Sequence, residues 1–99
     1  MFMYNNDEPI RIKTPRQGEI FGVIESMLGS NKLRVRCQDN KIRLCRIPGK
    51  LRKMLWMREG DVVLVKPWSI KGESNGDIIT RYTQTQVSWL KRKGLFKME

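Results

Sequence analysis

An all-β fold, a five-stranded Greek-key barrel of the OB type with a short helix between strands 3 and 4 and a closing C-terminal helix, is what this chain predicts. Three observations carry the prediction. Five short apolar or alternating runs are punctuated by Gly, Pro, Asn and Asp turns, a helix-forming stretch KLRKMLWM falls between the third and fourth of them, and a capped amphipathic segment follows the fifth. With 99 residues the chain has room for one domain and one core. Its parts read as a flexible N-terminal arm over 1–18, the barrel over 19–83, and a C-terminal helix with a short tail over 84–99.

The arm lacks periodicity and carries Asn5-Asn6, Pro9, Pro15 and Gly18, with Arg11, Lys13 and Arg16 available to a partner. The first strand is the apolar, β-branched run EIFGVIESML over 19–28, where Gly22 marks a bend or bulge. Gly29-Ser30-Asn31 turns the chain into a hairpin. Lys32, Arg34 and Arg36 alternate with Leu33, Val35 and Cys37, a period-two pattern with one buried face. Beyond Asp39-Asn40, Lys41 and Arg43 alternate with Ile42 and Leu44.

A two-residue loop at Asp39-Asn40 sets Gln38 opposite Lys41, Arg36 opposite Arg43 and Arg34 opposite Cys45 on one face. Leu33, Val35, Cys37, Ile42 and Leu44 then fill the other. Arg46 falls on the core face by this parity, which implies that the strand bends or stops there, and Pro48-Gly49 breaks it. Cys37 points inward and Cys45 to the basic face on the same pairing, so the two cannot bond and both read as reduced thiols.

Leu51, Met54 and Leu55 have helical spacing within 50–57. After Glu59-Gly60-Asp61, the run Val62-Val63-Leu64-Val65 reads as a strand buried on both faces, closed by Lys66-Pro67-Trp68. The polar loop 69–76 leads to a fifth strand over 77–82. Thr83 with Gln86 then forms a capping box for a helix over 84–93, ended by Lys91-Arg92-Lys93 and Gly94.

Charge decides the class of partner. The chain carries 20 Lys or Arg against 10 Asp or Glu, a net charge of +10, which raises association rates with polyanions. Between residues 32 and 53 stand Lys32, Arg34, Arg36, Lys41, Arg43, Arg46, Lys50, Arg52 and Lys53, with Asp39 as the sole acid. A solvated basic face is the bland account. An Arg36/Arg43 opposition, however, destabilises a sheet by some tenths of a kcal/mol up to about 1, and an anionic partner explains why it would be kept. Arg36→Ala and Arg43→Ala are then expected to weaken binding and leave the fold intact.

A membrane surface would call for a long basic amphipathic helix or a lipidation signal, and neither is evident. The start MFMYNNDEP has no basic n-region and no sustained apolar core, so no secretory or spanning segment is expected and the cytoplasm is the expected compartment. No internal repeat or low-complexity tract interrupts the chain.

Catalysis has little to work with. There is no histidine, no phosphate-cradling glycine loop, no paired carboxylates, and two cysteines cannot make a four-ligand zinc site. No cofactor is implied. A nucleophilic Cys45 in positive surroundings is the one enzymatic reading, and it lacks a base. A binding module fits better. Barrels that grip single strands carry aromatic side chains on their binding strands. Here arginine and lysine stand in those places, which favours phosphates of an already folded RNA. Trp56 suits either base stacking or capping of the barrel, Trp68 reads as loop packing, Trp89 as packing against the barrel, and Tyr82 fits either role. Lys66 and Arg81 complete the candidates.

Several motifs in fixed order then carry a resemblance over about residues 18–93. Arg34-Val35-Arg36-Cys37, Arg46-Ile47-Pro48-Gly49-Lys50-Leu51-Arg52, Trp56, Glu59-Gly60-Asp61-Val62-Val63, Val65-Lys66-Pro67-Trp68 and Asp77-Ile78-Ile79 resemble translation initiation factor 1A in its archaeal form. The resemblance implies an OB barrel in the aminoacyl-tRNA site of the small ribosomal subunit, beside the decoding helix, helping to position initiator tRNA and messenger RNA. Its rRNA-facing residues map onto Arg34, Arg36, Lys41, Arg43, Arg46, Lys50, Arg52, Lys53 and Trp56. Initiation factors 1, 2 and 5B are the implied co-partners of a monomer. The long acidic C-terminal tail of eukaryotic members, through which factor 5B is reached, has no counterpart after Leu95-Phe96-Lys97-Met98-Glu99. A general RNA chaperone of the cold-shock or S1 type is the second reading.

Overall fold

Five antiparallel or parallel ladders join five strands into a closed wall in the computed structural model, which describes residues 12–49 and 57–98. The strands are β1 (Ile20–Gly29), β2 (Lys32–Cys37), β3 (Ile42–Arg46), β4 (Val62–Pro67) and β5 (Asn75–Arg81), followed by helix α1 (Gln84–Arg92). Around the barrel the order is β1-β2-β3-β5-β4, with β4 returning to β1 and the β3/β5 ladder parallel. This is the expected OB barrel. The helix expected over 50–57 lies, apart from Met57, outside the described residues.

Two faces of apolar residues explain the strand patterns. Ile24, Leu33, Val35, Cys37, Cys45, Met57, Val63, Val65 and Ile78 fill the barrel interior. Phe21, Val62 and Leu64 point outward from β1 and β4 and are covered by Leu90, Val87 and Trp89 of α1 together with Phe96 and Met98. The four-residue run in β4 is therefore apolar throughout because α1 seals its outer side, as its sequence implied. Phe21 stacks edge-on against Phe96 with ring centroids 5.4 Å apart.

Helix α1 starts where its capping box predicts. The Gln86 amide donates to Thr83 Oγ1 at 3.2 Å and the Thr83 amide donates to Gln86 Oε1 at 2.9 Å. At its other end the Leu95 amide donates to the Leu90 carbonyl and the Gly94 amide to Lys91, each at 3.0 Å, with Gly94 at φ 74°. This left-handed stop turns the tail back onto the barrel. On the opposite flank, Ile12 packs on the same outer cluster and the buried Tyr82 hydroxyl donates to the Lys13 carbonyl. Burial pushes the Tyr82 phenol up, so it stays protonated.

The basic hairpin is where expectation and structure part. Its ladder pairs Lys32 with Arg46, Leu33 with Cys45, Arg34 with Leu44, Val35 with Arg43 and Arg36 with Ile42. The turn holds three residues, not two. The Asn40 amide donates to the Cys37 carbonyl at 2.9 Å, the Cys37 amide donates to Lys41 at 2.8 Å, and Asn40 takes a left-handed conformation with φ 69°. One extra loop residue shifts the register by one and sends every β3 side chain to the other face. Arg43 and Cys45 point inward, and Ile42, Leu44 and Arg46 point outward. The Arg36/Arg43 opposition does not exist, and Arg46 continues the strand on its outer face.

Candidate nucleic-acid interface

The outer face of β2 and β3 alternates cation and hydrocarbon across the strands: Arg36 beside Ile42, Arg34 beside Leu44, and Lys32 beside Arg46. Ile42 and Leu44 are exposed, and Arg36 and Arg34 each stand across the ladder from an aliphatic residue and not from another arginine. Like-charge opposition survives only at the end of the ladder, between Lys32 and Arg46. This row is presented by a rigid wall, since Leu33 and Val35 anchor β2 from within.

Two of these cations, Arg36 and Arg46, and their neighbours Lys41 and Arg81 already hold an acid brought from elsewhere in the fold. Arg36 Nε lies 3.4 Å from Glu25 of β1, Lys41 Nζ 3.4 Å from Glu73 of the β4–β5 loop, and Arg46 Nε 3.2 Å from Asp77 of β5. Arg81, at the end of β5, lies 3.6 Å from Asp61, which immediately precedes β4. Arg34 donates to Ser26 Oγ at 3.3 Å. Arg81–Asp61 is half-buried, while the pairs of Arg36, Lys41 and Arg46 are solvent-accessible and so weak and exchangeable, each about 0–1 kcal/mol. A polyanion can displace them.

Arg43 is different. Only 5% of it is exposed. Its guanidinium donates to both Asp39 carboxylate oxygens at 3.0 and 2.9 Å, and its Nε donates to the Gly72 carbonyl at 2.6 Å. The fork holds the Asp39 carboxyl below its ordinary range. Arg43 thus ties the hairpin turn to the β4–β5 loop and is withdrawn from the surface on which an exposed β3 parity would have put it.

Cys45 is also inside. It is 0% exposed, and burial pushes its thiol up to about 12, so no thiolate forms at neutral pH. The nucleophile reading of Cys45 fails on this ground. Cys37 is buried too, its thiol raised by desolvation. Cys45 pairs with Leu33, four residues along β2 from Cys37, so the ladder does not set the sulfurs side by side.

Of the remaining candidates, Lys66 is exposed at the end of β4, while Lys50, Arg52, Lys53 and Trp56 lie outside the described residues. Trp89 is half-buried against the outer cluster, as expected, and Tyr82 is structural. Sequence reasoning missed two things. Ile42 and Leu44 belong to the outer face, and Trp68 is a partly exposed ring pinned to Asp77, its indole Nε1 donating to Oδ1 at 3.0 Å. The only signal for the second was the polar β5 entry Asn75-Gly76-Asp77 facing Lys66-Pro67, a pairing visible once the strands are in register. Among the described residues no cluster of three or more His, Cys, Asp or Glu could hold a metal, and no helix is long and apolar enough to cross a membrane.

Strand order, the three-residue turn and the arginine-lined hairpin define an OB-fold domain with a basic β2–β3 face. Solved structures share this barrel. Bacterial-type translation initiation factor 1 from the wolbachia endosymbiont of Brugia malayi superposes with a TM-score of 0.53 at 28% identity, covering 68% of this chain and 79% of that one. YjeQ from Thermotoga maritima gives a TM-score of 0.54 at 25% identity, over 66% of this chain and 23% of that larger one. The family model for translation initiation factor 1A / IF-1 matches residues 8–99. The translation initiation factor 1A of Methanothermobacter thermautotrophicus is 55% identical over 95 residues, 96% of either chain. That of Archaeoglobus fulgidus is 53% identical over 97 residues, 96% of this chain and 99% of its relative. The chain belongs to the translation initiation factor 1A / IF-1 family in its archaeal form, a family of initiation factors and not of enzymes.

Proposed function

We propose that this chain binds the small ribosomal subunit at the aminoacyl-tRNA site through rRNA phosphate contacts, and so assists the positioning of initiator tRNA and messenger RNA. The observation that carries the reading is the outward row Lys32, Arg34, Arg36 and Arg46 on one rigid hairpin face, joined at its edges by Lys41 and Lys66. Arginine forks match phosphate oxygens in pairs, and the intervening Ile42 and Leu44 give a surface suited to packing on sugars of a folded RNA. Lys50, Arg52, Lys53 and Trp56 belong to the same surface by family resemblance. Occupancy of the site is itself the mechanism, with no bond made or broken. The protein works as a monomer in the cytoplasm, in company with initiation factors 1 and 2; the acidic tail by which eukaryotic members reach factor 5B has no counterpart here.

Titration of the full chain against isolated small subunits and against an unstructured oligonucleotide tests this. Tighter binding to the subunit at equal salt is expected, and equal affinity for both would point instead to a general RNA chaperone. With six or more phosphates contacted, affinity should drop about a thousandfold or more between roughly 50 and 200 mM salt. Arg34→Ala should weaken binding and lower the salt slope by about one phosphate's share.

A further inference from the structure

Trp68 follows Pro67 at the end of β4 and is 39% exposed, yet it is not loosely held. Its backbone amide donates to the Asn75 carbonyl at 3.1 Å, and its indole N–H donates to Asp77 Oδ1 at 3.0 Å. The β4–β5 loop crosses so near that a side chain at Gly72 would collide with the Trp68 carbonyl. Asp77 also accepts from Arg46 Nε at 3.2 Å and Nη2 at 3.3 Å, which brings the guanidinium carbon to 5.7 Å from the centre of the indole ring. One carboxylate thus fixes an aromatic ring and an arginine plane together. They border an open cleft of about 660 Å³, lined also by Lys66, Ser69 and Ile70.

We propose that this cleft receives one unpaired nucleobase of the bound RNA, stacked against the Trp68–Arg46 pair, with Lys66 meeting the adjoining phosphate. The proposal rests on the RNA-binding reading above and adds a base contact to a surface otherwise made for phosphates. Three features favour a base over other occupants. Pinning the ring in advance reduces the ordering cost of stacking. Every base offers a π-face, and arginine beside an aromatic ring adds cation–π attraction. The cleft volume lies in the range that holds small planar ligands, and its rim carries Lys66 and Arg46 to suit the attached backbone.

The test uses the full chain and isolated small subunits. W68A is expected to weaken binding about tenfold, the scale of one lost stack, with the salt slope unchanged because no phosphate contact is lost. W68F, which keeps a stacking face, should stay within about threefold of the parent chain. A W68A affinity within about twofold of the parent, or an equal loss in W68F, overturns the proposal. Photo-crosslinking supports or sinks it without relying on W68A folding. Benzoylphenylalanine at position 68 is expected to label rRNA, and label on ribosomal protein alone, or none, overturns the base contact. If binding keeps its dependence on Arg34 and salt while Trp68 is silent, only the cleft proposal falls. If Arg34 and salt have no effect, the RNA reading falls and the cleft with it.

Discussion

Arg43 shows how much one side chain can decide. Its fork spans Asp39 in the turn and the Gly72 carbonyl 29 residues away, and its side chain is 6% exposed while that of Asp39 is 32% exposed. Replacement by Ala leaves a carbonyl without its donor, a carboxylate without its counter-ion, and a gap in the wall. Hydrogen bonds to charged groups contribute about 1.5–3 kcal/mol each when lost, moderated here by water at Asp39, so Arg43→Ala is expected to cost roughly 2–3 kcal/mol. Denaturant unfolding measures it, and Arg34→Ala, on the surface, should stay within about 0.5 kcal/mol of the parent chain. Lysine at position 43 should recover little, because a point charge cannot make the paired contact. The pH dependence follows from the depressed Asp39 carboxyl. The pair's stabilisation is complete above the unfolded carboxyl's value of about 3.9 and is lost as pH falls through the lower folded value. Arg43→Ala should therefore flatten the stability curve below about pH 4, and a parent-like acid slope in that variant would refute the pairing.

At the level of elements, the strands, their order and the closing helix could be read from the chain because each had a signal independent of its neighbours. The Thr83/Gln86 capping box marks α1, and four consecutive apolar residues mark β4. The β3 register had no such signal. In Lys41-Ile42-Arg43-Leu44-Cys45-Arg46 either parity gives a plausible face, and the larger apolar residues favour the wrong one. What decides is the third turn residue, with Asn40 in a left-handed conformation, reinforced by Asp39, whose carboxylate caps the Lys41 amide at 3.1 Å as well as Arg43. The Arg43 bond to the Gly72 carbonyl, 29 residues away, fits only this register, and local alternation could not report it. The acids that quench the basic row, Glu25, Glu73 and Asp77, are likewise distant in sequence. Gly22 does not mark the bend or bulge expected of it, since it pairs in regular register and the β1–β2 shifts fall between Ile24 and Ser26 and between Met27 and Gly29. Its reason is steric, because a Cβ there would sit 2.5 Å from Val35 Cγ1 and 3.3 Å from the Arg36 carbonyl. Val35 is β-branched and buried, so it cannot swing away. Gly22→Ala is expected to lower unfolding free energy by about 1–3 kcal/mol through overpacking, and an unchanged denaturant midpoint would show that β1 and β2 can part without cost.

For the molecule as a whole, the excess of 20 basic over 10 acidic side chains is not spread evenly, because the fold places acids against the cations of the hairpin face. Arg36–Glu25 and Lys41–Glu73 are both solvent-accessible pairs, with side-chain exposures of 39%/35% and 47%/85%. In the free protein they contribute little stability, about 0–1 kcal/mol each. On a polyanion they compete with phosphate for the same cation. In the proposed complex an acid beside these cations also repels the RNA directly, over a Debye length of about 10 Å at 0.1 M salt. Neutralising the acids therefore acts oppositely on the two properties. E25Q and E73Q should each leave stability within about 0.5 kcal/mol of the parent and raise affinity for isolated small subunits severalfold at about 50 mM salt, with the gain fading towards roughly 1 M as charges are screened. Two alternatives give other signs. If the acids chiefly hold Arg36 and Lys41 in the geometry that meets phosphate, the substitutions weaken binding. If the hairpin face does not meet RNA at all, affinity is indifferent to both. A gain that rises as salt falls, measured by titration at three or more salt concentrations, distinguishes competition from preorganisation and locates the anion on this face.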